Sequence, residues 1–197
     1  IYERTNKNPK HSIAFKMVLS EQMVEAKVLD VLWTASKHGY LKPRIRIEPV
    51  TIGGATIEYA TAFNAAYIRD NHIGIGSVVK LVRSGDVIPH ILEVTAHSSE
   101  PKMPINIKYS WSDTNIDIII DDIDNDINVK IKNITSFFQS LKVNALGEGN
   151  IARIVKCGYT SIEDIINMKI EDILKIEGFK DKLASKIYNS IQEKLNI

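Results

Sequence analysis

From Ile13 to about Ala96 the apolar positions follow the short period of β-strands. Val24-Glu25-Ala26-Lys27-Val28-Leu29-Asp30-Val31 and Arg44-Ile45-Arg46-Ile47-Glu48 alternate apolar and polar side chains, the signature of a half-buried strand. Val78-Val79-Lys80-Leu81-Val82-Arg83 predicts a third strand. Val87-Ile88-Pro89-His90-Ile91-Leu92 predicts a fourth, with Pro89 directing it to a sheet edge or a bulge because proline cannot donate to the ladder. Gly39, Gly53-Gly54, Gly74, Gly76 and Gly85 punctuate these runs as turns, and a short helix is expected near Thr61–Asp70. Several short strands with glycine turns predict a small barrel. Residues 97–110, with Pro101 and Pro104, read as a linker. In 111–133 the alternation of Ile116-Asp117-Ile118-Ile119-Ile120-Asp121 suggests one strand and a hairpin, or else merely the Ile/Asn/Lys bias of an AT-rich genome. From Ile134 the period becomes helical. Phe137, Phe138 and Leu141 share a face; Thr160 and Glu163 read as a capping box; Lys169–Ile176 is a short helix stopped by Gly178; Leu183, Ile187 and Ile191 mark the buried face of a last helix. The expected division is a lead-in over 1–19, a barrel over 20–98, a linker and β-hairpin over 99–133 and an all-α domain over 134–197, giving a mixed α and β multidomain fold.

Val143–Lys156 and Ile176–Asn189 resemble each other: an apolar residue, a glycine-containing turn, and an alanine beyond it. Both resemble helix-hairpin-helix motifs, roughly apolar-x-Gly-apolar-Gly-x-x-x-Ala. There the glycines admit phosphate oxygens to the backbone, and the N-terminal N–H groups of the following helix bind them. Ala145-Leu146-Gly147-Glu148-Gly149-Asn150-Ile151-Ala152 keeps the second glycine and puts Ala145 at the first. Ile176-Glu177-Gly178-Phe179-Lys180-Asp181-Lys182-Leu183-Ala184 keeps the first and puts Lys180 at the second. Gly147, Gly149, Gly178, Lys180 and Lys182 are therefore candidate DNA contacts; ordinary glycine-capped helical turns are the alternative.

Composition narrows the function classes. A hydrophobic content of 44% suffices for a core. No apolar run approaches the length of a membrane span, and the first 15 residues are polar and basic rather than a signal sequence. The chain lacks a start methionine, which predicts a fragment or a processed product. A net charge of +1 does not mark a nucleic-acid binder, but residues 1–50 carry nine Lys or Arg against five Asp or Glu. Phosphate contacts must therefore come from local clusters. The lone Cys157 excludes an internal disulfide and a multi-cysteine zinc site and predicts an intracellular protein, in the cytoplasm of a bacterium or of an infected host cell. Cys157 itself reads as a small buried residue at a helix C-terminus.

Six segments resemble the NAD-dependent DNA ligases, in the family's order. Arg83-Ser84-Gly85-Asp86-Val87-Ile88-Pro89 resembles the Arg-x-Gly-Asp-Val-Ile-Pro signature of their OB-fold. Lys37-His38-Gly39-Tyr40-Leu41-Lys42-Pro43 resembles their Arg-Thr-Gly-x-Leu-Thr-Pro loop, Glu48-Pro49-Val50 their Glu-Pro-Val, and Ala60-Thr61-Ala62-Phe63-Asn64 their Ala-Thr-Leu-His-Asn. Ile13-Ala14-Phe15-Lys16 resembles the end of their nucleotidyltransferase domain, and Leu174-Lys175-Ile176-Glu177-Gly178-Phe179 their Leu-x-Leu-Glu-Gly-Phe. The resemblance implies an OB-fold followed by a helix-hairpin-helix domain, in an enzyme that seals nicked double-stranded DNA during replication and repair. Such an enzyme uses NAD and a divalent cation such as Mg. A lysine takes AMP from NAD, the AMP passes to the 5′-phosphate at the nick, and the 3′-hydroxyl displaces it. The nucleophile's Lys-x-Asp-Gly does not occur here, so adenylation requires a nucleotidyltransferase domain or subunit as partner, and the chain alone is expected to be inactive.

The resemblance carries a nucleotide-phosphate role onto Lys16, the one catalytic-type match, with a solvated lysine as the alternative. Arg83 and Lys37 are the expected phosphate contacts of the barrel, with His38 and Gly39 beside them. Lys37 stands where the family has Arg, His38 where it has Thr, and Phe63 where it has His. Asp86 is expected to hold its turn. Val87 and Ile88 either press on the minor groove or belong to the barrel core. The family's four-cysteine zinc finger has no counterpart: there is no cysteine before Cys157. A metal-free hairpin over Trp111–Ile131, anchored by Trp111, is expected in its place. The competing readings are a free-standing OB and helix-hairpin-helix module in repair or recombination, and an interaction protein with no DNA role. No membrane association is expected.

Overall fold

The computed structural model describes residues 23–83 and 89–195. Lys16, Val87 and Ile88, together with Ser84, Gly85 and Asp86, lie outside the described residues. The described chain divides into two compact units, one formed by 23–32, 43–63, 67–83 and 89–103, the other by 33–42, 64–66 and 104–195.

The first unit is a five-stranded barrel with one short helix. Its strands are β1 (Met23–Ala35), β2 (Tyr40–Ile52), β3 (Ala55–Thr61), β4 (Val78–Val82) and β5 (His90–Ala96), and α1 (Ala65–Asp70) lies between β3 and β4. The hydrogen-bonded order is β1-β4-β5-β3-β2, and β1 also pairs with β2, which closes the sheet. Alternation makes this core. On β2, Ile45 and Ile47 are buried while Arg44, Arg46 and Glu48 between them are exposed. Val28, Val31, Ile52, Ala60, Val79, Leu81 and Ile91 complete the interior. The junction of β3 and β5 is parallel and brief: Thr61 pairs with His90, and the Thr61 N–H donates to the Pro89 carbonyl at 3.1 Å. Pro89 thus precedes β5 rather than interrupting it, so its missing N–H leaves no gap in the ladder. The short helix expected near Thr61–Asp70 is α1, whereas the pattern missed β3 just before it. Its side chains at Thr56, Glu58 and Tyr59 are exposed and give no clean alternation.

In the second unit, the first residues of β2 continue a small sheet with β7 (Ile118–Ile120) and β6 (Tyr109–Trp111), in register Tyr40↔Ile119 and Trp111↔Ile118. This is the hairpin expected between the two domains, with Trp111 half-buried on it, but its strands end at Ile120 rather than near Ile131, because a helix already opens at Ile127. Five helices follow: α2 (Ile127–Ser140), α3 (Glu148–Lys156), α4 (Ile162–Ile166), α5 (Ile170–Leu174) and α6 (Asp181–Leu195). Helix α2 begins seven residues earlier than the helical period suggested. Asp126 caps it, accepting from the Asn128 and Val129 N–H groups at 2.9 Å each. The capping box of α4 is one residue later than expected: Ser161 accepts from the Asp164 N–H, and Asp164 accepts from the Ser161 N–H. The bonds from Ser161 hold the Asp164 carboxyl below the usual carboxylate range. Phe138, Leu146, Ile151, Ile154, Ile165, Ile173, Phe179, Ala184, Ile187 and Ile191 pack into one core, with Phe137, Leu141 and Leu183 against its edge.

Phe138 is fully buried at the centre of that core. Phe138→Ala is expected to destabilise the helical unit by about 3–5 kcal/mol, read from the chemical-denaturation curve of its helical signal.

Candidate nucleic-acid interface

The two hairpins are built alike, residue for residue. Ala145 and Gly178 both sit in the left-handed region, at φ 64° and 81°. Each is followed by a buried apolar residue, Leu146 or Phe179. The next residue opens a helix with its carbonyl: Gly147 accepts from the Asn150 and Ile151 N–H groups at 3.0 Å, and Lys180 from those of Leu183 and Ala184 at 2.9 Å. Gly147 and Lys180 are therefore structural equivalents, and so are Ile151 and Ala184, both fully buried. This corrects the expected alanine of the first hairpin. Ala152 is half-buried, and the close-packing position belongs to Ile151.

The helix starts are open. Gly147 makes no side-chain cap to α3, and a Cβ added at Gly147 or Gly149 would meet nothing within 4 Å. No internal packing requires glycine there, and the bare backbone leaves the first-turn N–H groups accessible to an anion. Gly178, Lys180 and Lys182 are exposed at the second hairpin. Ala145 is a different matter, because an L side chain is strained in that conformation. Its carbonyl accepts from Asn150 Nδ2 at 2.8 Å, and the neighbouring Asn144 N–H donates to Ser190 Oγ of α6 at 2.8 Å, so the turn is held from two sides. Arg153 and Lys156 of α3 line a cavity of roughly 340 Å³ with Cys157, Ile176, Glu177 and Gly178. Cys157 is the C-cap of α3 as expected, but it is exposed rather than buried, because it lies past the last buried residue, Val155.

The turn between β1 and β2 carries Lys37, His38 and Gly39. The Gly39 N–H donates to the Ser36 carbonyl at 3.0 Å, and the Tyr40 N–H to Ser36 Oγ at 3.1 Å. Gly39 is buried at φ 79°, and a Cβ there would lie 2.7 Å from Ile123 Cγ1; turn geometry and packing both demand glycine. Lys37 and His38 are exposed on this turn. In the barrel, Arg83 is half-buried. Its Nη1 reaches the Ile52 carbonyl at 3.5 Å, and a Cβ on Gly53 would lie 3.8 Å from it, so the guanidinium sits against the β2–β3 turn.

The structure adds residues that the sequence reading passed over. Arg44 and Arg46 lie exposed on one face of β2, and the Arg44 guanidinium stacks 4.5 Å from the centroid of the half-exposed Tyr59 ring. The signal was present in the alternation of Arg44-Ile45-Arg46, where the polar positions carry guanidinium groups. Among the described residues no cluster of three or more His, Cys, Asp or Glu side chains converges as for a metal ion, and no helix is long and apolar enough to cross a membrane.

This geometry can be set beside known proteins. Residues 25–103 match the family described as the NAD-dependent DNA ligase OB-fold domain, and residues 140–193 match the SAM-like helix-hairpin-helix tandem. The barrel is an NAD-dependent DNA ligase OB-fold domain. The helices after it are a helix-hairpin-helix tandem. A DNA ligase of Acanthamoeba polyphaga mimivirus is 42% identical over 96% of this chain and 29% of its own length. A putative DNA ligase of Invertebrate iridescent virus 6 is 37% identical over 96% of this chain and 29% of its own length, and a DNA ligase of Clostridium botulinum (strain Loch Maree / Type A3) 31% over 98% and 30%. The chain thus spans about three tenths of the length of these relatives.

Two outcomes are expected. Ala145→Gly relieves the left-handed strain of the first hairpin and stabilises the helical unit by about 1 kcal/mol, a shift visible in its denaturation midpoint. Arg83→Ala weakens binding to a nicked duplex and flattens its dependence on salt; unchanged affinity and slope in a titration at several ionic strengths would remove Arg83 from the interface.

Proposed function

We propose that this chain is the DNA-gripping part of an NAD-dependent DNA ligase, holding a nicked duplex through its phosphates. The observation that carries this reading is the conjunction of a ligase OB-fold domain with two matched hairpins whose helix starts are bare of side-chain caps or flanked by lysine. Phosphate contacts hold register without reading bases, so binding is independent of sequence and falls as salt rises. The contacts are Lys37, His38 and Gly39 in the β1–β2 turn, Arg83 with Val87 and Ile88 in the barrel, Gly147 and Gly149 in the first hairpin, and Gly178, Lys180 and Lys182 in the second. Arg44, Arg46 and Tyr59 extend the set along β2. Val87 and Ile88 meet the minor groove near the nick. Lys16 reaches the nucleotide phosphate, as a compact point charge suits.

The reaction's covalent step belongs to a partner. Lys-x-Asp-Gly does not occur in this sequence, so the lysine that takes AMP, the binding of NAD and the divalent cation such as Mg are assigned to a nucleotidyltransferase domain, joined to this one or supplied as a separate subunit. What this chain contributes is position. Cations and backbone N–H groups fix the phosphates on both sides of the break, which holds the 5′-phosphate and 3′-hydroxyl in reach of each other. The hairpin of β6 and β7, over Tyr109–Ile120, stands where the family has its zinc finger and does its spacing without metal.

The test is reconstitution. This chain, mixed with a nucleotidyltransferase domain of a similar ligase, NAD and Mg, is expected to seal a nicked duplex that neither part seals alone, and the chain by itself is expected to take no labelled AMP from NAD. Tight duplex binding without sealing in the mixture would instead favour a free-standing binding module.

A further inference from the structure

One cavity within the helical unit is not accounted for by the hairpins. It holds roughly 340 Å³ and is lined by Ser36 and Lys37 of the β1–β2 turn, by Lys132, Thr135, Ser136 and Gln139 of α2, and by Glu148 at the start of α3. The α2 residues fall at the spacing of one helix face. That face is unusual for a packed helix, because it turns an ammonium, two hydroxyls and an amide toward the same space.

Thr135 supplies the second observation. It is only 6% exposed, and its Oγ1 is buried without any hydrogen-bond partner. Buried hydroxyls are nearly always satisfied, so an unmet hydroxyl on a residue that lines the cavity marks a place for a partner. Lys37 is held loosely. Its Nζ reaches Ser136 Oγ at 3.5 Å, at the outer limit of a hydrogen bond, and that contact leaves the Ser136 proton free to donate elsewhere. Two lysine ammonium groups, three hydroxyls and an amide thus line the cavity, enough donors to surround an anion. Glu148 is the single carboxylate on the lining and leaves it with a net charge of +1.

We infer that this cavity seats one phosphodiester group of a nucleic-acid backbone, bound by Lys37 and Lys132 together with the Thr135 and Ser136 hydroxyls. The inference rests on the duplex-binding reading and deepens it, because it assigns α2, a helix ahead of both hairpins, a direct hold on the strand. Lys132 and Thr135 are then contact residues in their own right. Glu148 opposes the bound phosphate and weakens the hold, so that release is not slowed.

The experiment follows binding of the whole chain to a fluorescent nicked duplex at several salt concentrations. Lys132→Ala is expected to weaken binding roughly tenfold and to make the salt slope shallower by about 0.9, the share of one phosphate contact. Combined with Lys37→Ala it costs less than the sum of the two, since both lysines serve one phosphate. Thr135→Val keeps the side-chain shape; it is expected to weaken binding with the slope unchanged, and Glu148→Gln to tighten it. Thermal melts of each variant show that the fold is retained. Wild-type affinity and slope in both Lys132→Ala and Thr135→Val would overturn the site while leaving the duplex-binding reading standing. Failure of the wild-type chain to bind any duplex would overturn both. Lys132-dependent uptake of inorganic phosphate, with duplex affinity indifferent to Lys132, would overturn the phosphodiester assignment in favour of a free-anion site.

Discussion

The helical unit turns on two left-handed residues. At Ala145 and Gly178 the backbone reverses so sharply that the next side chain, Leu146 or Phe179, drops into the core while the residue after it opens a helix outward. That one reversal ties burial to exposure. The apolar residue anchors the turn from inside, and the bare helix start is what remains on the outside. A right-handed residue at either position would move the buried side chain and the helix start together, because they belong to the next two residues along the chain.

The same coupling explains what each hairpin could lose. Glycine is the natural occupant of the left-handed position, and only the second hairpin keeps it. The first keeps the conformation with alanine, held by the Asn150 side chain on the Ala145 carbonyl and by the bond from Asn144 to Ser190. At the helix start the loss is reversed: Gly147 stays bare, and Lys180 brings a cation. A bare start offers N–H groups close to a phosphate, whereas lysine offers charge at longer reach. On the proposed reading, the two hairpins thus meet the same kind of ligand by different groups.

Much of this was legible in the sequence because glycine and apolar spacing report backbone demands directly. The repeat around Gly147 and Gly178, the barrel, and the buried faces of α2 and α6 all follow from them. The misses have physical causes. β3 went unseen because a strand exposed along most of its length shows little alternation. The capping box slipped by one residue because Thr160 and Ser161 are chemically equivalent caps, and only backbone geometry chooses Ser161. The alanine of the first hairpin was misplaced because Ile151 fills the position that alanine holds in the second. Cavities between elements distant in sequence, such as the one joining Ser36 and Lys37 to α2, leave no local pattern at all.

Charge shows most clearly why a pattern must be read in place. A net charge of +1 gives no hint of a polyanion partner, and the acidic stretch around Asp121–Asp126 argues against one. Yet folding sorts the charges. Arg44 and Arg46 share one exposed face of β2, Lys180 and Lys182 flank a helix start, and Lys37 and Lys132 converge on one cavity. The acids are spent on structure: Asp126 and Asp164 on caps, Asp117 on Lys42 at 2.9 Å, Asp172 on Lys175 at 3.0 Å. A carboxylate that accepts backbone N–H groups or faces its own lysine projects less field than its formal charge implies. A chain of nearly balanced composition can therefore present cations locally, with range set by the Debye length of about 10 Å at moderate salt rather than by the total charge.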